Sequence, residues 1–171
     1  MKRQDVNLID LCSTEALVGK HLYSENSRPK NVIIENSSQS IQFNVMPNRD
    51  VKESVFIKEY RLWDNAIEAV FNRAYYTDML NSPSHLTFLS SLINLQKMVY
   101  VFMHQYLNLE YDINGKERLK VWPGKLNINM PKMILKKENI GHLMKINSIH
   151  TVKDNRYKVS ADTFIDKAVT I

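Results

Sequence analysis

The feature that most constrains this chain is a boundary followed by a long apolar run. Asn81-Ser82-Pro83 opens it, and residues 86–109 carry Phe88, Leu89, Leu92, Ile93, Leu95, Met98, Val99, Val101, Phe102 and Met103. Serine is a good N-cap and proline a good first helical residue, because its missing N–H is not needed there. The expectation is therefore one helix over residues 83–107. Leu89, Leu92, Ile93, Gln96, Val99 and Tyr100 share one face, while Phe88, Leu95, Phe102 and Tyr106 share another. Apolar residues on more than one face call for burial on several sides. At 1.5 Å per residue, roughly 24 residues make a helix of about 36 Å, long enough to cross a domain of this size. Ser90, Ser91, Asn94, Gln96, Lys97, His104 and Gln105 interrupt the run. That pattern belongs to a core helix, and no membrane span is expected.

On either side of this helix the period changes. Residues 32–34 begin a strand, Asn36-Ser37-Ser38-Gln39 reads as a turn, and Ile41, Phe43 and Val45 alternate with polar residues. Pro47-Asn48-Arg49-Asp50 ends that segment. Residues 53–62 and 66–76 fit both periods, although β-branched and aromatic content draws 70–77 toward strand. After a turn at residues 112–116 come strand-like runs at 119–134, 142–152 and 157–171. Lys153-Asp154-Asn155-Arg156 reads as a hairpin turn, and Asp166-Lys167 as a break. Residues 6–20 read as a short helical extension. Strands segregated from one buried helix favour α+β over a doubly wound sheet. The expected architecture is one domain over residues 1–171, with a curved antiparallel sheet wrapped around one long central helix.

Composition narrows the function class. The chain has 171 residues, 44% hydrophobic and 24% charged, within the range of globular proteins. Cys12 stands alone, which excludes an internal disulfide scaffold. Asp5, Asp10 and Glu15 interrupt any signal-peptide core, so the expected compartment is the cytoplasm. The net charge of +5 is scattered and lacks the basic–aromatic interleaving of a nucleic-acid footprint. Nucleic acid is not the expected partner. Mild basicity suits an anionic ligand such as coenzyme A. No GxGxxG, P-loop, GxSxG or HExxH motif occurs. His104, His142 and His150 lie far apart without a cysteine, so no metal site and no cofactor are expected.

Residues 74–100, AYYTDMLNSPSHLTFLSSLINLQKMVY, carry a resemblance. A tyrosine precedes the helix, a histidine lies near its start, and Asn, Gln and then a tyrosine follow inside it. His85, Asn94, Gln96 and Tyr100 occupy these places. The segment is similar to that of FcoT-like acyl thioesterases, which adopt the hotdog fold, and the order of elements extends the likeness over residues 17–171. The family has a Gly-His-Phe-Asn-type run where this chain has Ser84-His85-Leu86-Thr87, so the family asparagine is Thr87 here. The resemblance implies hydrolysis of a fatty acyl thioester, on acyl-CoA or acyl-carrier protein, by a homodimer or higher homo-oligomer.

The chemistry such residues can do is specific. Thioester attack places negative charge on a carbonyl oxygen, and helix N-terminal N–H groups stabilise it. His85, expected in the first helical turn, would be kept neutral there and act as base. Asp78, Tyr75 and Tyr76 would orient water or the acyl carbonyl. Thr87, Phe88 and Leu92 would line the acyl path, with Asn94 and Gln96 as buried amides that meet either a ligand or other protein groups. Each has a plainer reading. A first-turn histidine also caps, an acid before a helix also complements its dipole, and tyrosines also pack. The competing function is a catalytically silent hotdog-like module that binds an acyl ligand or a protein.

Overall fold

The computed structural model describes residues 9–11, 28–46, 48–81, 84–111, 119–127, 133–153 and 155–166. Three long strands come first: β2 (Asn31–Met46), β3 (Arg49–Trp63) and β4 (Ala66–Thr77). One helix follows, α1 (Phe88–Tyr106), and then β6 (Ile140–Lys153) and β7 (Arg156–Ile165). These five strands form an antiparallel sheet in the order β2-β3-β4-β6-β7. Two short strands, β1 (Ile9–Leu11) and β5 (Pro123–Leu126), extend it beyond β7. The described residues thus form an α+β arrangement, a mainly antiparallel sheet carrying one helix.

Period-two patterning decides which face is buried. On β3 the inward residues are Val51, Glu53, Val55 and Ile57, then Tyr60 and Leu62 after a bulge between Ile57 and Glu59. On β4 they are Ile67, Ala69, Phe71 and Arg73, and on β6 Ile140, His142, Met144 and Ile146. The register sets these in rows. Ile57, Phe71 and Ile140 form one, and Tyr60, Ala69, His142 and Ile165 the next. The helix covers them with Leu95, Met98, Val99, Val101, Phe102 and Met103.

Several expectations need correction. The helix begins at Phe88, with Thr87 as its N-cap, and not at Pro83. Ser82 and Pro83 lie outside the described residues. The reason is tertiary. Leu86 N–H donates to the Ile134 carbonyl at 2.9 Å, and Arg73 Nη2 donates to the Ser84 carbonyl at 2.6 Å. Backbone groups that a first helical turn would use are held by neighbouring segments instead. The strand contacts of α1 among the described residues are chiefly with β3 and β4. Phe88 and Leu89 remain 40% and 39% exposed, so the helix is not enclosed along its whole length.

The expected turn at residues 36–39 is an irregularity within one continuous strand. Asn36 takes a left-handed φ of 48° there, and the β2–β3 register shifts between Ile34 and Ser37. Ile9–Leu11, expected to be helical, pair in parallel with β7 and β5. The rest of that N-terminal segment lies outside the described residues. Among the described residues of the run at 119–134, Pro123–Leu126 are strand and the others are not. Pro123 sits at its first position on a sheet edge, where a missing N–H costs little. The hairpin after Lys153 and the break at Asp166 are as expected.

Candidate functional site

Two inward strand positions that would ordinarily be apolar are charged. Glu53 on β3 and Arg73 on β4 both have fully buried side chains and meet at 2.8 Å through Arg73 Nη1 and Glu53 Oε1. The remaining donors of the guanidinium are also engaged. Arg73 Nε donates to the Lys136 carbonyl at 3.0 Å, and Nη2 to that of Ser84. The second carboxylate oxygen of Glu53 accepts from Thr87 N–H at 3.0 Å and from Thr87 Oγ1 at 2.6 Å. Thr87 Oγ1 in turn accepts from Ser90 N–H at 3.3 Å. A carboxylate therefore sits at the helix start, where the macrodipole favours negative charge.

His85 lies in the extended segment before the helix rather than in its first turn. Its ring lies 6.3 Å from that of Tyr75, which in turn lies 5.9 Å from the Arg73 guanidinium carbon. Both residues are half-buried. Tyr76, next along β4, points to the opposite face and is 58% exposed. Asp78 serves the β2–β3 turn region. Its Oδ1 accepts from Asp50 N–H at 3.2 Å, and its Oδ2 lies 3.5 Å from Arg49 Nη1. Of the expected catalytic set, the structure puts His85 beside Tyr75, sends Tyr76 away from that pair, and gives Asp78 other partners. Phe88 is exposed, while Leu92 and Gln96 are half-buried on the helix. A pocket of about 180 Å³ lies elsewhere, lined by Trp63, Asp64, Phe102, Gln105 and Tyr106.

Asn94 meets a residue that spacing arguments set aside. Its Nδ2 lies 3.1 Å from His142 Nδ1 across the helix–sheet boundary. Both side chains are buried, and burial lowers the His142 pKa to about 4, so the imidazole is neutral at neutral pH. A third polar cluster joins β2, β3 and the segment after α1. Tyr111 donates to Glu35 Oε2 at 2.6 Å, Ser37 donates to Oε1 at 2.7 Å, and burial raises the Tyr60 phenol pKa above its ordinary range.

Glu53, Arg73 and His142 were missed because no catalytic motif contains them. A signal was nonetheless present. Val51-x-Glu53-x-Val55, Phe71-x-Arg73-x-Tyr75 and Ile140-x-His142-x-Met144 each place an ionisable residue on the apolar phase of a strand. Among the described residues, no group of three or more His, Cys, Asp and Glu is arranged to hold a metal ion. No described helix is long and apolar enough to cross a membrane. No protein-family model, curated protein or solved structure matches this chain.

Proposed function

We propose that this chain is a hotdog-like module that binds an acyl ligand, as acyl-CoA or acyl-carrier protein, and does not turn it over through the helix start. The observation that carries this reading is the Glu53 carboxylate at the Thr87 amide. A thioester oxyanion needs free donors at that place, and here an anion already accepts from both the N–H and the hydroxyl. A second negative charge within hydrogen-bonding distance of a buried carboxylate is strongly disfavoured. What favours a ligand is the helix flank. Phe88 and Leu89 are exposed about one turn before the half-buried Leu92, at the end of the helix that His85 precedes, and offer an apolar surface for a chain.

The second reading, acyl-thioester hydrolysis with His85 as base, is supported by the Tyr75–His85 pair of rings beside the helix start. One experiment separates the two. The protein is incubated with acyl-CoAs of increasing chain length, binding is followed by native mass spectrometry, and free acid by intact mass. The binding reading predicts a chain-length-dependent complex with no hydrolysis above the protein-free rate. Turnover lost by about two to four orders of magnitude in a folded His85→Ala variant would establish the hydrolase instead. The absence of both complex and turnover would rule out an acyl ligand.

A further inference from the structure

The pocket of about 180 Å³ lies at the C-terminal end of α1, away from the exposed Phe88 and Leu89 at the helix start. Phe102, Gln105 and Tyr106 stand at positions i, i+3 and i+4 and so share one helix face. Trp63 ends β3, Asp64 opens the turn to β4, and these two complete the lining. Three of the five lining residues are aromatic, in a chain where aromatic residues make up 9%. The one formal charge among the five is the Asp64 carboxylate.

These features select a ligand by sign, size and surface. Asp64 disfavours an anion, and the last turn of a helix carries the negative end of its macrodipole, which favours a cation. The pocket is smaller than the roughly 300–1,000 Å³ that a drug-sized ligand occupies, so it suits a headgroup rather than an acyl chain. A calcium or magnesium ion calls for about six oxygen ligands, which one carboxylate and one amide do not supply. Aromatic rings attract a cation placed over their faces, and quaternary ammonium is the group most often held in this way. A bare ammonium is strongly hydrated and gives up its water at a greater cost.

We propose that this pocket binds a methylated ammonium group, with Trp63, Phe102 and Tyr106 around its methyl groups and Asp64 as counter-charge. Lys30 does not line the pocket but competes for the same carboxylate. Its ammonium pairs with Asp64, and its backbone N–H is fixed to the Leu62 carbonyl at 2.8 Å. The two side chains of that pair are 61% and 73% exposed, so the pair is weak and yields to a ligand cation.

The test uses the wild-type protein with choline as probe, and dimethylbutanol, its carbon isostere, as the uncharged control. The chain has two tryptophans, so the indole N–H of Trp63 gives one of two resonances, assigned with Trp122→Phe. Choline should shift it saturably, and the alcohol should bind at least about tenfold more weakly. Asp64→Asn should weaken choline binding by roughly two- to fivefold, and Lys30→Gln, which removes the competing ammonium, should tighten it by a similar factor. Both positions are exposed, so neither variant disturbs the core. Phosphatidylcholine vesicles separate the sources of the group: co-sedimentation assigns a lipid headgroup, and choline binding without it assigns a free amine. Equal affinity for choline and the alcohol would overturn the proposal, as would the absence of a saturable shift with choline, or either charge variant binding choline as the wild type does.

Discussion

Arg73 meets its partners in a planar geometry that a lysine ammonium in its place could not reproduce. Its guanidinium reaches the Glu53 carboxylate and the carbonyls of Ser84 and Lys136 in one planar fork. Removing it strands a buried charge, so Arg73→Met should destabilise the fold by about 3–5 kcal/mol in urea titrations. The double variant Glu53→Gln/Arg73→Met should regain a large part of that loss, because the stranded charge is gone. A double variant as weak as the single one would show that the fork to the carbonyls, and not the ion pair, dominates. His142 provides a second residue-scale prediction, in pH. Its folded pKa of about 4 lies below the unfolded value of 6.5. Between these values the unfolded chain binds the extra proton, so stability is full above pH 6.5 and falls as pH drops toward 4. At 1.36 kcal/mol per pH unit, the loss is on the order of 3 kcal/mol. Chemical denaturation across that window should show it, and a folded His142→Gln variant should lack that component of the slope.

At the scale of elements, caps and turns decide where each piece begins. Thr87 closes the helix through its hydroxyl and hands its own N–H to Glu53. Thr87→Ala should cost about 1–2 kcal/mol, the range for a lost N-cap, while Thr87→Ser should recover most of it. Helix content by circular dichroism and a urea midpoint check both. Turns in this chain rest on asparagine. With only four glycines in the sequence, left-handed backbone falls to Asn48 at φ 63° and Asn155 at φ 64° in the hairpins, and to Asn36, Asn81, Asn108, Asn139 and Asp166 elsewhere. Asparagine tolerates this conformation better than other residues with a Cβ. Asn48→Ala should therefore destabilise by about 1–2 kcal/mol and Asn48→Gly should not, measured by thermal unfolding. The hairpin at Lys153–Arg156 was readable in the sequence for this reason, whereas Pro47–Asp50 reads there only as the end of a strand. The helix start was not, since Ser82-Pro83 and Thr87 are both acceptable caps, and only the docking of residues 84–86 selects between them.

At the scale of the whole molecule, the long edge strand among the described residues is β2. Among the described residues it pairs with β3 alone, and over residues 31–46 it carries a single charge, Glu35. Val32 and Ile34 are exposed on it. Edges of this length are usually charged, bulged or covered, and one that is nearly uncharged favours pairing with a second strand. The expected outcome is a homodimer through this edge, visible by light scattering at micromolar concentration. Ile34→Lys/Ser38→Lys should shift the mass to that of a monomer. A wild-type mass of one chain at every concentration would rule the pairing out. Among the described residues the sheet ends at its other side in the short strand β5, which carries Pro123.

The sequence alone determined the α+β class, a long apolar helix and the hairpin at Lys153–Arg156, because each follows from local period and turn chemistry. It also marked Asn94 as a buried amide in need of a partner. It could not say which partner, since His142 lies on a strand that only the sheet register carries beneath the helix. The same holds for Glu53 and Arg73. They are 20 residues apart in sequence, and their ion pair exists because β3 and β4 set them on one face. Strand identity at residues 53–62 and 66–76 was undecided for a related reason. Those runs fit two periods, and backbone pairing with neighbouring strands, a long-range contribution, selects one. The fate of the helix start, filled by a carboxylate from a distant strand, was likewise settled by tertiary packing.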